Sequence, residues 1–219
     1  PWCTRKCPYC DFNSHELRGS VNEREYVKAL LADLQQDATL IQGREIETIF
    51  IGGGTPSLFS GDAIASLLEG ISTRIDCAAN LEVTMEANPG SSELRKFSAF
   101  RSAGVNRISI GVQSFTSKHL QALGRVHSAK EALKAAAAAS QAGFKRINLD
   151  IMYALSGQTV GEASRDVEQA VAINPEHLSC YQLTIEPNTQ FHAQPPKLPD
   201  EELGWEIHAK NANMPALYD

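Results

Sequence analysis

The sequence has no run approaching the roughly 18 apolar residues that a membrane-crossing helix needs, and no charged-then-apolar leader opens it, so the cytoplasm is the expected location. It also lacks a surplus of positive charge. Twenty Lys and Arg stand against 26 Asp and Glu, a net charge of -6, which argues against a surface that works by neutralising phosphates. Nucleic acid is not expected as a partner. Five cysteines in 219 residues are too few for a disulfide scaffold. With 42% apolar and 21% charged residues, the chain is too apolar to be disordered and too varied to be fibrous. One large folded domain is the expectation.

What the sequence does have is alternation. From about residue 45, short β-rich runs (45–51, 81–85, 107–112, 146–152 and 178–184) alternate with helical stretches at 62–71, 93–103, 129–142 and 161–172. An earlier helix at 22–38 gathers Val27, Leu30, Leu31 and Leu34 on one face. Gly43, Gly104 and Gly143 stand where helices should end. The spacing predicts an α/β fold with parallel strands and helical crossovers, a barrel or an open sheet. After Asp200 the alternation is lost, and no element is assigned to 205–219.

In such folds the working site lies at the carboxyl ends of the strands. Polar residues stand at these ends: Gly52-Gly53-Gly54-Thr55-Pro56, Glu86, Gln113 and Asp150. Taken singly, each is explained as a turn or a local cap. Together they would open toward one rim. The glycines let a ligand approach bare backbone, but the Lys-Ser/Thr ending of a phosphate loop and the spacing of a dinucleotide fingerprint are both absent. Glu86 and Asp150 would suit sugar hydroxyls or positive charge.

The densest signal is Cys3-Thr4-Arg5-Lys6-Cys7-Pro8-Tyr9-Cys10, while Cys77 and Cys180 stand alone. Cys7 and Cys10 alone would form a metal-free thiol–disulfide exchanger, which leaves Cys3 unexplained. A zinc site completed by His15 is a second reading, at an unfamiliar spacing. Three thiolates on an iron–sulfur cluster, with one iron left open, are a third.

The CxxxCxxC run followed by a glycine-rich strand end resembles the radical S-adenosylmethionine (SAM) superfamily. Pro8-Tyr9-Cys10-Asp11-Phe12, Gly52-Gly53-Gly54-Thr55-Pro56-Ser57, Glu86-Ala87-Asn88-Pro89-Gly90, Ser109-Ile110-Gly111-Val112-Gln113-Ser114-Phe115 and Leu123-Gly124-Arg125 are similar to its HemN/HemW group. The resemblance extends through Asn148-Leu149-Asp150-Ile151-Met152-Tyr153 and Leu183-Thr184-Ile185-Glu186-Pro187-Asn188-Thr189. It implies a partial (β/α)6 barrel resembling a TIM barrel, with a radical SAM core over 1–199 and the start of a C-terminal region at 200–219. The chain opens at Pro1 with the cysteines at its edge, so a preceding first strand is expected to be missing.

The resemblance further implies that Cys3, Cys7 and Cys10 hold a [4Fe–4S] cluster whose fourth iron takes SAM. Tyr9 would lie beside that cofactor; Gly53, Gly54 and Thr55 would meet its amino acid end, and Arg125 its carboxylate. Gln113 and Asp150 would meet its ribose, with Glu86 close by and Thr184 near the adenine. The oxidase branch, which decarboxylates coproporphyrinogen III oxidatively in porphyrin biosynthesis, carries a further cysteine where this chain has Phe12. Its absence points to the haem-chaperone branch, whose cargo is haem and whose partners are respiratory membrane proteins and an electron donor. A homodimer is admissible, whether the protein is an enzyme stays open, and none of the scattered histidines is singled out as a haem ligand. Ser156, where relatives usually have proline, reads as a tolerated loop change.

Overall fold

The computed structural model describes residues 1–214. In chain order its elements are β1 (Trp2–Cys3), β2 (His15–Glu16), α1 (Glu23–Asp37), β3 (Ile46–Ile51), α2 (Gly61–Ser72), β4 (Cys77–Ala87), α3 (Ser91–Leu94), α4 (Phe97–Ala103) and β5 (Arg107–Gln113). There follow α5 (Ser117–Ala122), α6 (Ala129–Gln141), β6 (Arg146–Tyr153), α7 (Val160–Ala172), β7 (His177–Gln182), α8 (Gln190–Ala193) and α9 (Glu201–Ala212). Strands β3 to β7 form one five-stranded sheet in sequential order, every neighbouring pair parallel. This is the expected α/β half-barrel. Among the described residues β3 and β7 are its two free edges, and β1 pairs only with β2 in a separate short parallel ribbon.

Period-2 alternation explains why this sheet has two unlike faces. On β5, Ile108, Ile110 and Val112 are fully buried beneath the helices, while Arg107, Ser109, Gly111 and Gln113 turn to the inner side. Helices α6 and α7 each begin with a capping box, Ser128 with Glu131 and Thr159 with Glu162. The alanine run is packing as well as propensity: Ala132, Ala135, Ala136 and Ala139 recur at helical spacing and are all buried. Gly104 and Gly143 have φ of 114° and 90°, as left-handed helix ends require.

The structure departs from the sequence reading in several places. The stretch expected as one helix at 93–103 is two, α3 and α4, and β4 begins at Cys77 rather than 81. Helix α5 had no sequence counterpart. Beyond Asp200, where no element was assigned, α9 forms, capped by the Asp200 carboxylate accepting from Leu203 N at 2.9 Å. Its buried face is Gly204, Ile207 and Asn211, one large apolar residue among small and polar ones, while Trp205 is 70% exposed. A hydrophobic stripe was the wrong signal to seek there. Positions 215–219 of the expected C-terminal region lie outside the described residues.

Candidate functional site

The first ten residues are folded as a loop that clasps the strand ends. Trp2 O accepts from Thr55 N at 2.7 Å, Pro1 O from His15 N at 2.8 Å, and Pro8 O from Phe191 N at 2.9 Å. Two glycines make this approach possible. A Cβ on Gly54 would sit 2.6 Å from Trp2 O, and one on Gly124, already at φ 68°, would sit 2.6 Å from Pro8 Cδ. Lys6 Nζ donates to Phe12 O and Ser14 O at 3.0 and 3.2 Å, closing the loop from its outer side.

A chain of polar contacts joins this loop to the rim. Asn88 Nδ2 donates to Thr55 Oγ1 at 3.1 Å, and Arg125 donates to Asn88 Oδ1 at 2.5 Å, to Gly111 O at 2.9 Å and to Cys7 Sγ at 3.7 Å. Arg125 Nε is enclosed and has no partner. Arg125 is thus held within the site by its neighbours rather than standing free at a helix end. Beneath it, Glu93 is buried, takes hydrogen bonds from Ser57 Oγ and Asn88 N, and has its carboxyl pushed up by that burial.

One cavity of about 480 Å³ runs inward from this loop. Cys3, Cys7, Cys10, Tyr9, Gly53, Gly54, Thr55, Glu86, Gln113, Arg125, Asp150 and Thr184 all line it. Every residue that the resemblance assigns to the site is thus brought to one place, whereas Gly52 and His15 do not line it. Gln113 is buried in a left-handed conformation, φ 69°, at a break in the β5–β6 register, and its Oε1 accepts from Tyr181 OH at 2.6 Å. Glu86 Oε2 accepts from Gly53 N at 3.1 Å; burial first, and Asp150 second, push its carboxyl above the usual range. Thr184 is exposed at the margin, its hydroxyl turned to Glu186 Oε1 at 2.7 Å.

Asp150 is held by neighbours that sequence reading missed. Ser109 Oγ donates to its Oδ2 at 2.9 Å and Asn148 Nδ2 to its Oδ1 at 2.8 Å, while Asn148 also donates to Ser109 Oγ at 2.7 Å. Burial raises the Asp150 pKa against these bonds. Asn148 and Ser109 were findable, two residues along β6 from Asp150 and four along β5 from Gln113, whereas Ser179 and Tyr181 stand on β7, where the sequence marked no inward residue. Phe12, 52% exposed, also lines the cavity.

Among the described residues no group of three or more His, Cys, Asp or Glu side chains stands in a ready metal-binding arrangement. The donor chemistry nonetheless suits an iron–sulfur cluster. Three soft thiols face one cavity, Cys3 and Cys7 are near enough to raise Cys10 further after burial has done so, and the backbone around them is pinned. Burial pushes the Tyr9 phenol up beside them, against the pull of Arg125.

The class follows from fold and comparison together: residues 1–170 match the model of the radical SAM superfamily, and the chain belongs to that superfamily. Within it the chain is 56% identical over 207 residues to the heme chaperone HemW of Escherichia coli (strain K12), covering 94% of this chain and 55% of that protein. It is 39% identical to the mitochondrial radical S-adenosyl methionine domain-containing protein 1 of Bos taurus, covering 95% and 48%. The solved structure of coproporphyrinogen III oxidase (HemN) from Escherichia coli superposes with a TM-score of 0.84 at 27% identity, covering 96% of this chain and 49% of that one. The chain thus spans about half the length of the curated relatives it matches. No helix among the described residues is long and apolar enough to cross a membrane.

Proposed function

We propose that the chain carries the radical SAM core of a haem chaperone of the HemW kind, which binds a [4Fe–4S] cluster, SAM and haem and delivers haem to respiratory membrane proteins. Cys3, Cys7 and Cys10 hold the cluster. When bound, that cluster supplies an open iron and one electron toward the SAM sulfonium. The chain's own residues do the positioning. Gly53 and Gly54 expose backbone to the amino acid end, and Arg125, which lines the cavity, offers its positive charge to the carboxylate. Asp150 and Gln113 present fixed acceptors suited to vicinal hydroxyls, their orientation set by Ser109, Asn148 and Tyr181. Tyr9, packed against Phe191 at 6.4 Å between ring centroids, closes the outer side of the cavity against water.

The observation that carries this reading is the convergence of three thiols and a complete set of rim residues on one cavity, in a chain 56% identical to a heme chaperone. Phe12 at the cavity, in the position where the oxidase branch has a fourth cysteine, favours the chaperone over porphyrinogen decarboxylation. The thiol-exchange reading leaves Cys3, which lines the same cavity as Cys7 and Cys10, without a role. The test is an anaerobic comparison of haem capture with coproporphyrinogen turnover. Haem bound at one equivalent with no decarboxylation is expected; stoichiometric decarboxylation would transfer the chain to the oxidase branch.

A further inference from the structure

We propose that Glu93, which does not line the cavity, is the positioning residue for its carboxylate-binding end, acting through Asn88 on Thr55 and Arg125. The inference rests on the SAM reading above and names what sets the donors that meet the acidic group of that ligand. Asn88-Pro89-Gly90 is the turn that follows β4. Glu93 N donates to Gly90 O at 3.0 Å, so the chain doubles back into α3 and returns the Glu93 carboxylate to Asn88. There one oxygen, Oε2, accepts from Asn88 N at 2.9 Å and from Ser57 Oγ. Asn88 follows β4 and Ser57 lies in the loop after β3, so one atom of a side chain only 5% exposed ties the tips of two neighbouring strands. Lys96 pins the same loop: its Nζ donates to Ser57 O, Leu58 O and Phe59 O at 3.2, 2.6 and 3.2 Å.

What the tie fixes is the polarity of one amide. Arg125 can only donate, so the Asn88 side chain must turn Oδ1 to it, at 2.5 Å. Nδ2 is thereby aimed at Thr55 Oγ1, 3.1 Å away, and the Thr55 hydroxyl, already accepting, keeps its own proton for another partner. Asn88, Thr55 and Arg125 all line the cavity, whereas Glu93 and Ser57 do not. One hydroxyl donor and one guanidinium, joined by a shared amide and facing the same space, are the donors that a carboxylate takes.

Without Glu93, two buried donors lose their acceptor and the turn is free to shift. A displacement of about 1 Å at Asn88 would break both of the side-chain bonds that orient Thr55 and Arg125. The rest of the cavity has its own supports. Glu86 is held by Gly53 N, Gln113 by Tyr181, and Asp150 by Ser109 and Asn148. Loss of Glu93 is therefore felt at the carboxylate end and not at the hydroxyl-binding end, which separates positioning from general support of the fold.

The experiment uses the full-length, anaerobically reconstituted protein and two probes, SAM and its decarboxylated form, which is the same sulfonium nucleoside without the carboxylate. Equilibrium dialysis reads both affinities. The wild type is expected to prefer SAM. Glu93→Leu should cut that preference about tenfold, the scale of a charge-assisted hydrogen bond, by weakening SAM alone and with iron content unchanged. Glu93→Gln, whose amide oxygen can accept from both Ser57 and Asn88, should restore it. Asn88→Ala should reproduce the loss, and the double variant with Glu93→Leu should lose no more than either alone. If Glu93→Leu takes up no iron, Glu93→Asp, which withdraws the carboxylate by one methylene, decides by the same ratio. A wild type indifferent to the carboxylate, a Glu93 variant that keeps the full preference or weakens both probes equally, or a double variant whose losses multiply overturns the relay and leaves SAM binding standing. A wild type that binds neither probe overturns the SAM reading and the relay with it.

Discussion

Gly124→Ala tests whether the cysteine loop is held by close backbone approach. The substitution acts twice. At φ 68° a side chain costs about 1 kcal/mol, because the left-handed region suits residues without a Cβ. The new Cβ would also lie 2.6 Å from Pro8 Cδ, so a rigid ring must retreat by about 1 Å to restore ordinary contact. Pro8 sits between Cys7 and Cys10, and its carbonyl is tied to Phe191 N at 2.9 Å, so the retreat cannot be absorbed in a free loop. Gly143→Ala is the matched control, since Gly143 has φ 90° with nothing within 4 Å of its Cβ position. The control should lose about 1 kcal/mol and keep its iron; Gly124→Ala should lose about 2 to 3 kcal/mol and most of its iron and sulfide. Urea unfolding and iron and sulfide analysis after anaerobic reconstitution read both effects. Equal metal content and equal stability in the two variants would refute the claim that Gly124 exists to let Pro8 approach.

Two further outcomes follow from buried polar groups. His127 is 5% exposed, its Nε2 faces Val112 O at 3.0 Å, and burial followed by the Arg125 charge lowers its pKa from 6.5 to about 4. The unfolded chain therefore takes up a proton below pH 6.5 that the native state refuses until about pH 4, and stability falls across that window and levels off beneath it. The full difference is about 3 kcal/mol. His127→Gln should remove that segment of the pH dependence in urea unfolding; an unchanged slope would show that His127 does not carry it. Asp166, buried on α7, accepts from Ser114 Oγ at 2.6 Å and Phe115 N at 2.8 Å and so fixes the turn that follows Gln113. Asp166→Ala should cost about 3 kcal/mol by leaving two buried donors unmet, whereas a change under about 0.5 kcal/mol in thermal unfolding would mean that water replaces the carboxylate without loss.

Much of the fold was legible because the strands alternate apolar residues, buried against the helices, with polar ones, as in residues 107–112 and 146–152. The cysteine run, the glycine loop and the strand-end acids were legible as types at positions. What the sequence did not show was what holds them. Arg125 looks like an ordinary surface charge until Asn88 and Gly111 are seen to enclose it, and Tyr181 orients Gln113 across 68 residues of separation. Helix α9 was invisible because its buried side is built on Gly204 and Asn211, with no apolar stripe to betray it. Local pattern reports burial; it does not report which distant polar group a buried atom will meet.

The most direct test of the central claim is iron and acid-labile sulfide in the anaerobically purified full-length protein, with the electron paramagnetic resonance spectrum recorded before and after adding SAM. The account predicts four irons and four sulfides per chain, a reduced-cluster signal that shifts when SAM is added, and loss of both metal and signal in Cys3→Ala. Zinc in place of iron, or a protein free of metal with Cys3→Ala indistinguishable from wild type, would contradict it.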